Sequence, residues 1–257
     1  MQSFFKPCLR LTLLCLCLGC LSGCATLGST GDPRDPFEGF NRHVTSFNDF
    51  MDKMLVQPLI NLYKAITPEF LDKAISNFFD NLNDATVIVN DFLQFKFKQM
   101  LSDLVRFILN STLGLGGLFD VSTDMGYVKH HEDFGQTLGV WGFGAGPYLV
   151  VPLLGPSTIR DAAGRLALGT WFNSPTSYLV DERAHKLGLM ALHYVDYRAD
   201  NLSAQKLIGE AALDKYEFTK NIYLERRENL IKDRDGEVPE GFEEFDDLND
   251  LDATVPE

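Results

Sequence analysis

The sequence predicts a mainly α-helical domain that is tethered to a membrane by a lipid. Three observations indicate this class. Apolar residues recur at helical spacing through much of residues 40–108. A short apolar leader ends in a cysteine preceded by small residues, which is typical of lipoproteins. Two uncharged segments in the middle of the chain interrupt the helical pattern, and the longer one contains too many glycines and prolines to be a helix.

The leader predicts where the mature chain begins. An eleven-residue, mainly apolar run over residues 11–21 follows a basic start, and it is too short to span a bilayer, which takes about 20 residues. Leu21-Ser-Gly-Cys24 has the form of a lipobox, so we expect residues 1–23 to be removed and Cys24 to carry acyl chains. The alternative is an ordinary cleavage site beside an unrelated cysteine. Ala25 replaces the aspartate that typically retains bacterial lipoproteins in the inner membrane, so we expect the periplasmic side of a Gram-negative outer membrane.

The charge distribution excludes two classes of partner. The full chain has a formal net charge of −13, and removing the leader takes away two basic residues and no acid, which leaves −15. Residues 233–257 hold eleven acids and one base, so residues 24–232 carry only −5. Nucleic-acid binding and polybasic docking onto anionic headgroups both need a basic footprint, which this chain lacks. Any contact of the body with a bilayer must therefore use apolar surface.

The first half of the mature chain predicts a linker followed by helices. Residues 24–36 form a polar linker with glycines and prolines. Helical patterning extends from about Phe40 to Ile66, and Thr67-Pro68 breaks it because Pro68 suits the first turn of a new helix. That helix covers residues 70–93, and its pattern continues through residues 97–108.

The helix over residues 70–93 carries a clean apolar stripe, with Asp72, Lys73, Asp80 and Asp84 outside it. Two interpretations are open. The stripe is either the core-facing side of a helix pair in a bundle, or part of helices that lie in the plane of a membrane. Twenty phenylalanines against two tryptophans favour lipid contact. The residues that we expect to face the membrane are Phe70, Leu71, Phe78, Phe79 and Phe92.

The two uncharged segments lie between Arg106 and Asp120 and over the 26 residues 134–159. Alternating apolar residues flank Gly142-Phe-Gly-Ala-Gly-Pro147, which predicts a hairpin or bent loop with extended arms. A buried glycine-rich hairpin and a flexible apolar flap are both compatible with this pattern. The candidate hinge residues of a flap are Gly139, Gly142, Gly144, Gly146 and Pro147.

The remainder of the chain predicts three helices and a polar tail. Thr158 to Asp161 fits a capping box that opens a helix to about residue 168. Further helices are predicted over residues 181–199 and 203–232. Residues 37–232 are therefore expected to form the α-helical domain. Residues 233–257 are acidic and are predicted to be disordered.

The sequence offers no catalytic motif. The only approach to a nucleophile elbow, Gly155-Pro-Ser157, lacks the second glycine, and the glycines at 142, 144 and 146 have the wrong spacing for a dinucleotide fingerprint. His130-His131-Glu132-Asp133 is more simply a solvated turn than a metal site, because adjacent side chains diverge. After removal of the leader, Cys24 is the only cysteine left and it carries lipid, so no disulfide is expected. We expect no enzyme activity, no cofactor and no metal.

Three separate signatures resemble the MlaA (VacJ) lipoproteins. They are Asp35-Pro-Phe-Glu-Gly-Phe-Asn-Arg42, the run Leu109-Asn-Ser-Thr-Leu-Gly-Leu-Gly-Gly-Leu-Phe-Asp120, and the run from Asp133 to Tyr148. Residues 151–161 extend the match, and the resemblance covers roughly residues 35–225 in the expected order. The acidic tail carries little of it.

This resemblance implies a ring of in-plane amphipathic helices in the periplasmic leaflet, with a Gly-rich hairpin or flap beside a central channel. It implies a protein that removes misplaced phospholipid from the outer leaflet and passes it to a soluble periplasmic carrier, MlaC. General porin trimers are the implied partners in the outer membrane. It also implies a lipid path beside the flap and a collar role for residues 35–42 at the first helix.

Three functional interpretations compete at this stage. Lipid transfer is favoured, a structural porin-associated lipoprotein without transport is the alternative, and a phospholipase is disfavoured by the missing nucleophile. Arg160, Asp161 and Arg165 are candidates for the polar lining of the channel, since they follow the flap. The acidic tail either docks onto a basic face of the carrier or is a solvated end.

Overall fold

The computed structural model describes residues 31–169, 183–202 and 212–233. Cys24, most of the predicted linker and the acidic tail beyond residue 233 lie outside the described residues. The fold is mainly α-helical with one small sheet, as predicted. A ring of helices in the membrane plane stays a prediction.

The elements in chain order are α1 (Glu38–Met51), a π-helical segment (Asp52–Val56), α2 (Gln57–Ile66), α3 (Glu69–Leu93), α4 (Phe97–Thr112), α5 (Val121–Asp124), α6 (Phe134–Val140), β1 (Tyr148–Val151), β2 (Gly155–Thr158), α7 (Ile159–Gly169), α8 (Arg183–Asp200) and α9 (Lys215–Ile231).

The helical path predicted from Phe40 to Ile66 changes its winding midway. Proline has no N–H, and in a regular helix its ring clashes with the carbonyl four residues earlier. The π-helical segment lies directly before Gln57-Pro58, where the Gln57 N–H donates to the carbonyl of Asp52. A wider turn at this point accommodates the proline within one continuous helical path.

The helical hairpin of α3 and α4 follows the predicted break. Helix α2 ends at Ile66, and Pro68 is extended backbone directly before α3. Between α3 and α4 the chain reverses through Phe95, which has a left-handed φ of 62°. The Lys96 N–H donates to the carbonyl of Asp91 at 2.9 Å, which closes the turn.

The polarity of the described residues is inverted relative to a water-soluble domain. Buried polar or charged residues outnumber buried apolar residues by more than two to one, although charged side chains are rarely fully buried unless they are paired. Large apolar side chains are exposed instead, along α1, the π-helical segment and α2 to α4. They include Phe47, Phe50, Met54, Leu55, Leu59, Leu62, Ile66, Phe70, Phe92, Phe97, Leu101 and Ile108. Of the helices in the described ranges, none combines the length and the apolar composition that crossing a membrane requires.

Two small apolar clusters join distant elements. The first brings α1, β1 and α9 together through Val44, Tyr148, Val150 and Tyr216. The second joins α2 to α8 through Ile60, Tyr63 and Ala199. These clusters fix the helices that surround the cavity described below.

The predicted hairpin is present, but its turn lies elsewhere in the chain. β1 and β2 pair antiparallel with Tyr148 opposite Thr158 and Val151 opposite Gly155, so the turn is formed by residues 152–154. The predicted first arm is instead helix α6. The side chain of Asp133 caps that helix by accepting from the Gln136 N–H at 2.9 Å, and this local signal overrides the apolar alternation.

The C-terminal elements confirm part of the prediction. The hydroxyl of Thr158 accepts from the Asp161 N–H at 3.2 Å, as the capping box requires. The helix predicted over residues 181–199 is present as α8, Arg183–Asp200, and residues 181 and 182 lie outside the described residues. A single helix over residues 203–232 is wrong, because Asp214 is extended and its side chain caps α9 by accepting from the N–H groups of Tyr216 and Glu217. Residues 203–211 lie outside the described residues.

Candidate functional site

A cavity of about 460 Å³ lies between α1, the π-helical segment, the β-hairpin, α8 and α9. Its lining combines aromatic hydroxyls with apolar and charged side chains. The tyrosines that line it are Tyr148, Tyr194, Tyr197, Tyr216 and Tyr223. The apolar lining residues are Met51, Val56, Val150, Leu153, Leu154, Pro156 and Ile222. Such a mixture suits an amphiphilic ligand.

The motif of residues 35–42 attaches α1 to the hairpin. The amide of Asn41, which is fully buried, donates to the Asp35 carboxylate at 2.8 Å and to the carbonyl of Tyr148 at 3.1 Å. Its oxygen accepts from the Val150 N–H at 2.9 Å. The side-chain amide of Asn41 thus hydrogen-bonds to the backbone of β1 in the way that a neighbouring strand would. This contact fixes the position of α1 against the hairpin.

The same motif attaches α9 to this assembly. The hydroxyl of Tyr216 donates to Asp35, and burial raises the pKa of Tyr216 above its usual value, with a further contribution from Asp35. The guanidinium of Arg42 lies 4.4 Å from the centre of the Tyr216 ring and pairs with Asp214 at 2.8 Å. One side of the cavity therefore consists of elements held together by buried polar contacts.

Two of the cations that line the cavity are neutralised within it. Lys215 pairs with Asp49 at 2.8 Å, and Arg198 pairs with Asp52. Arg226 also lines the cavity and is exposed. Within residues 31–169, 183–202 and 212–233 it has no hydrogen-bond or ion-pair partner.

The residues proposed from sequence for the polar lining lie outside this cavity. Arg160 and Asp161 are buried and pair with one another at 3.0 Å. Asp161 also accepts from Arg227 at 3.0 Å and from the hydroxyl of Tyr223 at 2.8 Å. Arg165 is exposed on α7. Their role in lining a channel stays a prediction.

The Arg227 network joins three helices next to the cavity. Arg227 of α9 contacts both carboxylate oxygens of Asp133, at 2.5 and 2.9 Å, in addition to Asp161 of α7. Burial raises the pKa of Asp133, but the hydrogen bonds and charge of Arg227 outweigh it and hold that pKa below its usual value. The backbone of Gly135 passes so close that an added Cβ would lie 2.5 Å from Asp161 Oδ1.

The predicted flap connects α6 to the hairpin that lines the cavity. Gly142 and Gly146 have φ values of 90° and 68°, which favour glycine. An added Cβ at Gly144 would meet no atom within 4 Å, whereas at Gly139 it would lie 2.7 Å from the side chain of Ile231. Pro147 ends the segment, and its carbonyl accepts from the Ile159 N–H at 3.1 Å. Movement about these residues stays a prediction.

The predicted membrane-facing stripe of α3 is only partly exposed. Phe70, Leu71 and Phe92 are exposed and Phe78 is half-buried. Phe79 is an error in the prediction, because it is only 4% exposed and packs edge-on against His193 of α8 at 4.4 Å. The contact with α8 covers this position, and no pattern within α3 reveals it.

Sequence reasoning missed a polar seam between α3 and α4. Arg106, which is 2% exposed, lies 3.8 Å from Asp84 and 3.2 Å from Asp120. Burial raises the pKa of Asp84 to about 6 and that of Asp91 to about 8. The signal was present as Asp84 and Asp91 on α3 and Asp103 and Arg106 on α4, each pair at helical spacing.

Comparisons with known proteins agree on one family. The family model described as MlaA lipoprotein matches residues 33–230. The intermembrane phospholipid transport system lipoprotein MlaA of Escherichia coli (strain K12) is 33% identical over 259 residues, covering 95% of this chain and 99% of that protein. The MlaA lipoprotein of Haemophilus influenzae (strain ATCC 51907 / DSM 11121 / KW20 / Rd) is 27% identical, covering 88% and 91%. An uncharacterized protein of Rickettsia prowazekii (strain Madrid E) is 39% identical over 208 residues, covering 81% and 80%.

A solved structure supports the same relationship. It is reported as "Structural basis for maintenance of bacterial outer membrane lipid asymmetry" and superposes with a TM-score of 0.67 at 30% sequence identity. The superposition covers 77% of this chain and 98% of that one.

Proposed function

Because this chain belongs to the MlaA lipoprotein family, we propose that it takes part in intermembrane phospholipid transport and maintains the lipid asymmetry of an outer membrane. In this proposal it removes misplaced phospholipid from the outer leaflet and passes it to a soluble periplasmic carrier. The described residues support a transport role through their geometry, and no step of this proposal requires the protein to break a covalent bond.

The inverted polarity is the observation that carries this proposal. In water, the exposed phenylalanines and leucines on α1 to α4 would cost about 25 cal/mol per Å² of apolar surface. In a leaflet these side chains would lie against acyl chains, and this cost would be removed. The buried charged residues of α3 and α4 would be withdrawn from those acyl chains. This arrangement supports placement of the domain within one leaflet, and a lipid on Cys24 would add to its anchoring.

The cavity supports a route for the polar end of a phospholipid. A phospholipid that crosses an apolar layer unaided must desolvate its charged headgroup, which costs at least several kcal/mol. Tyrosine hydroxyls and charged side chains in the cavity would replace that lost hydration, and its apolar lining would contact the glycerol and upper acyl segments. Porin trimers would hold the protein in the outer membrane, and a carrier of the MlaC type would accept the lipid.

Outer-leaflet phospholipid in cells that lack this protein tests the proposal. Those cells should accumulate surface-exposed phospholipid, detectable by outer-leaflet labelling, and the wild-type gene should restore the normal level. The Cys24→Ser variant should fail to restore it because it cannot carry lipid. Cys17→Ser changes a cysteine of the removed leader and serves as the matched control.

An unchanged outer leaflet in the deletion strain would contradict transport and favour the alternative of a porin-associated lipoprotein without transport. Full rescue by Cys24→Ser would leave the transport role standing and overturn the proposed lipid anchor.

A further inference from the structure

We propose that Arg226 binds the phosphodiester of a phospholipid inside the cavity. This inference rests on the proposed transport function and specifies how the substrate would be recognised. Its ligand chemistry is a singly charged phosphodiester attached to a glycerol backbone.

The position of Arg226 follows from one face of α9. Lys215, Thr219, Ile222 and Arg226 all line the cavity, and their spacings of four, three and four residues place them on the same side of the helix. Lys215 and Arg226 are eleven residues apart, which corresponds to about 16 Å along the helix axis. The cavity therefore extends along α9, with one cation near each end.

The two ends of this face differ in charge. Lys215 is paired with Asp49, and Arg198 across the cavity is paired with Asp52. The charged lining residues are two acids and three bases, so the excess charge is +1 and lies at Arg226. This is a local exception in a chain whose net charge is −13.

The surroundings of Arg226 on its own helix leave its charge available. The positions one turn away are Ile222, Tyr223, Asn229 and Leu230, and none of them is acidic. The guanidinium is exposed, and no other residue in the described ranges accepts a hydrogen bond from it. It can therefore direct its planar set of N–H donors at a ligand, whereas Arg227 beside it is already committed to Asp133 and Asp161.

The chemistry of the remaining lining favours a lipid as the source of this phosphate. Arginine matches the geometry of phosphate oxygens with two parallel hydrogen bonds. Ile222 lies one turn away, and Leu153 and Leu154 of the hairpin turn line the same cavity. A free phosphate ion makes no favourable contact with an apolar surface, whereas a glycerol ester with acyl chains packs against one.

A photocrosslinking experiment tests the inference in cells labelled with radioactive phosphate. A benzophenone-bearing phenylalanine analogue replaces Tyr194, an aromatic residue that lines the cavity and is partly exposed. Covalent transfer of radioactive lipid to the protein then reports phospholipid in the cavity. A second probe at Phe70, which is 75% exposed, reports lipid around the protein rather than within it.

Variants of Arg226 are then compared with a control variant that loses one positive charge outside the cavity lining. Arg226→Gln should lower the labelling at position 194 by about five-fold, as expected for loss of one partly exposed charged contact. Arg226→Lys should give an intermediate level, because the charge remains but the two parallel hydrogen bonds are lost. Lys232→Gln removes one positive charge from the end of the same helix outside the cavity lining and should leave labelling unchanged.

The outcomes separate this inference from the function on which it rests. Equal labelling of wild type and Arg226→Gln at position 194 would overturn the phosphodiester site while the lipid route stands. Labelling at position 70 but never at position 194 would overturn the lipid route itself. Stabilisation of the purified wild type, but not of Arg226→Gln, by inorganic phosphate alone would assign Arg226 to a free anion and overturn the lipid as its ligand.

Discussion

Replacement of Arg227 by methionine tests whether buried polar contacts hold the helices around the cavity. Arg227 connects α9 to Asp133 at the start of α6 and to Asp161 in α7. Methionine matches the aliphatic stem of arginine and has no charge, so the variant removes the polar contacts and keeps the apolar packing of that stem. We expect a clear loss of stability without a change in helical content at low temperature.

The contacts that remain set the size of this loss. Removing one partner of a buried ion pair costs about 3–5 kcal/mol, because the other charge is left buried. Here Asp161 keeps Arg160 at 3.0 Å and Tyr223 at 2.8 Å. The side chain of Asp133 is 42% exposed, so water takes over part of the role of Arg227. We therefore expect a loss of about 2–3 kcal/mol, which for a domain of this size lowers the melting temperature by about 5–10 °C.

Thermal unfolding in detergent, followed by circular dichroism, measures this loss. Arg226→Met is the matched control, since it removes the neighbouring arginine that has no ion pair with any described residue, and it should change stability by less than about 0.5 kcal/mol. A double-mutant cycle with Asp133→Asn isolates the contact between the two side chains. In the Asp133→Asn background, the loss of unfolding free energy caused by Arg227→Met should be smaller by at least about 1 kcal/mol.

The pH dependence provides a second readout of the same pair. The pKa of Asp133 is held below its usual value in the folded protein, so the pair contributes stability above about pH 4, and this contribution is lost as the pH falls through the folded pKa. The difference in the free energy of unfolding between wild type and Arg227→Met should therefore become smaller below about pH 4. Equal stability of the two proteins at neutral pH, or full additivity in the cycle, would refute the reasoning.

Three further outcomes concern the stripe, the seam and the flap. Phe79→Ala should lower stability by about 3 kcal/mol in the same unfolding assay, whereas Phe70→Ala should cost less than about 0.5 kcal/mol in detergent; equal losses would contradict their different burial. Asp91→Asn should stabilise the protein more at pH 8 than at pH 5. Burial raises the pKa of Asp91 to about 8, so wild-type stability falls as the pH rises from about 4 through that value, and a difference independent of pH would argue against this. Joint replacement of Gly142, Gly144 and Gly146 by alanine should trap one arrangement of the flap and raise surface-exposed phospholipid, with Gly144→Ala alone as the control; a normal outer leaflet in the triple variant would exclude a hinge role.

Local signals in the sequence were sufficient for most helix boundaries. Thr67-Pro68 separates α2 from α3, and Thr158 caps α7, because both act through residues within one turn of the chain. The π-helical segment before Pro58 and the cap at Asp214 are also local, and their residue types were visible. They were missed because the apolar periodicity continues through both positions.

The environment of each face could not be predicted in the same way. Periodicity identifies a stripe such as Phe70 to Phe92, but it does not say whether protein or lipid covers the stripe. The cavity lining combines Asn48, Tyr148, Arg198 and Arg226, which are far apart in sequence and meet only through the fold. The choice of Arg160, Asp161 and Arg165 relied on nearness in sequence to the flap, and sequence alone could not show that Asp161 of α7 contacts Arg227 of α9.

The seam between α3 and α4 has a different energetic meaning in a leaflet than in water. In water a buried ion pair is weak evidence for stability, since apolar packing could replace it. Among acyl chains the exposed phenylalanines gain little by packing against another helix, because lipid is as apolar as their own side chains. Polar contacts across the seam, such as that of Arg106 on α4 with Asp84 on α3, have no equivalent partner in lipid, so they favour the associated helices over the separated ones. If the domain lies in one leaflet as proposed, the polar seam rather than the apolar stripe holds the α3–α4 hairpin together.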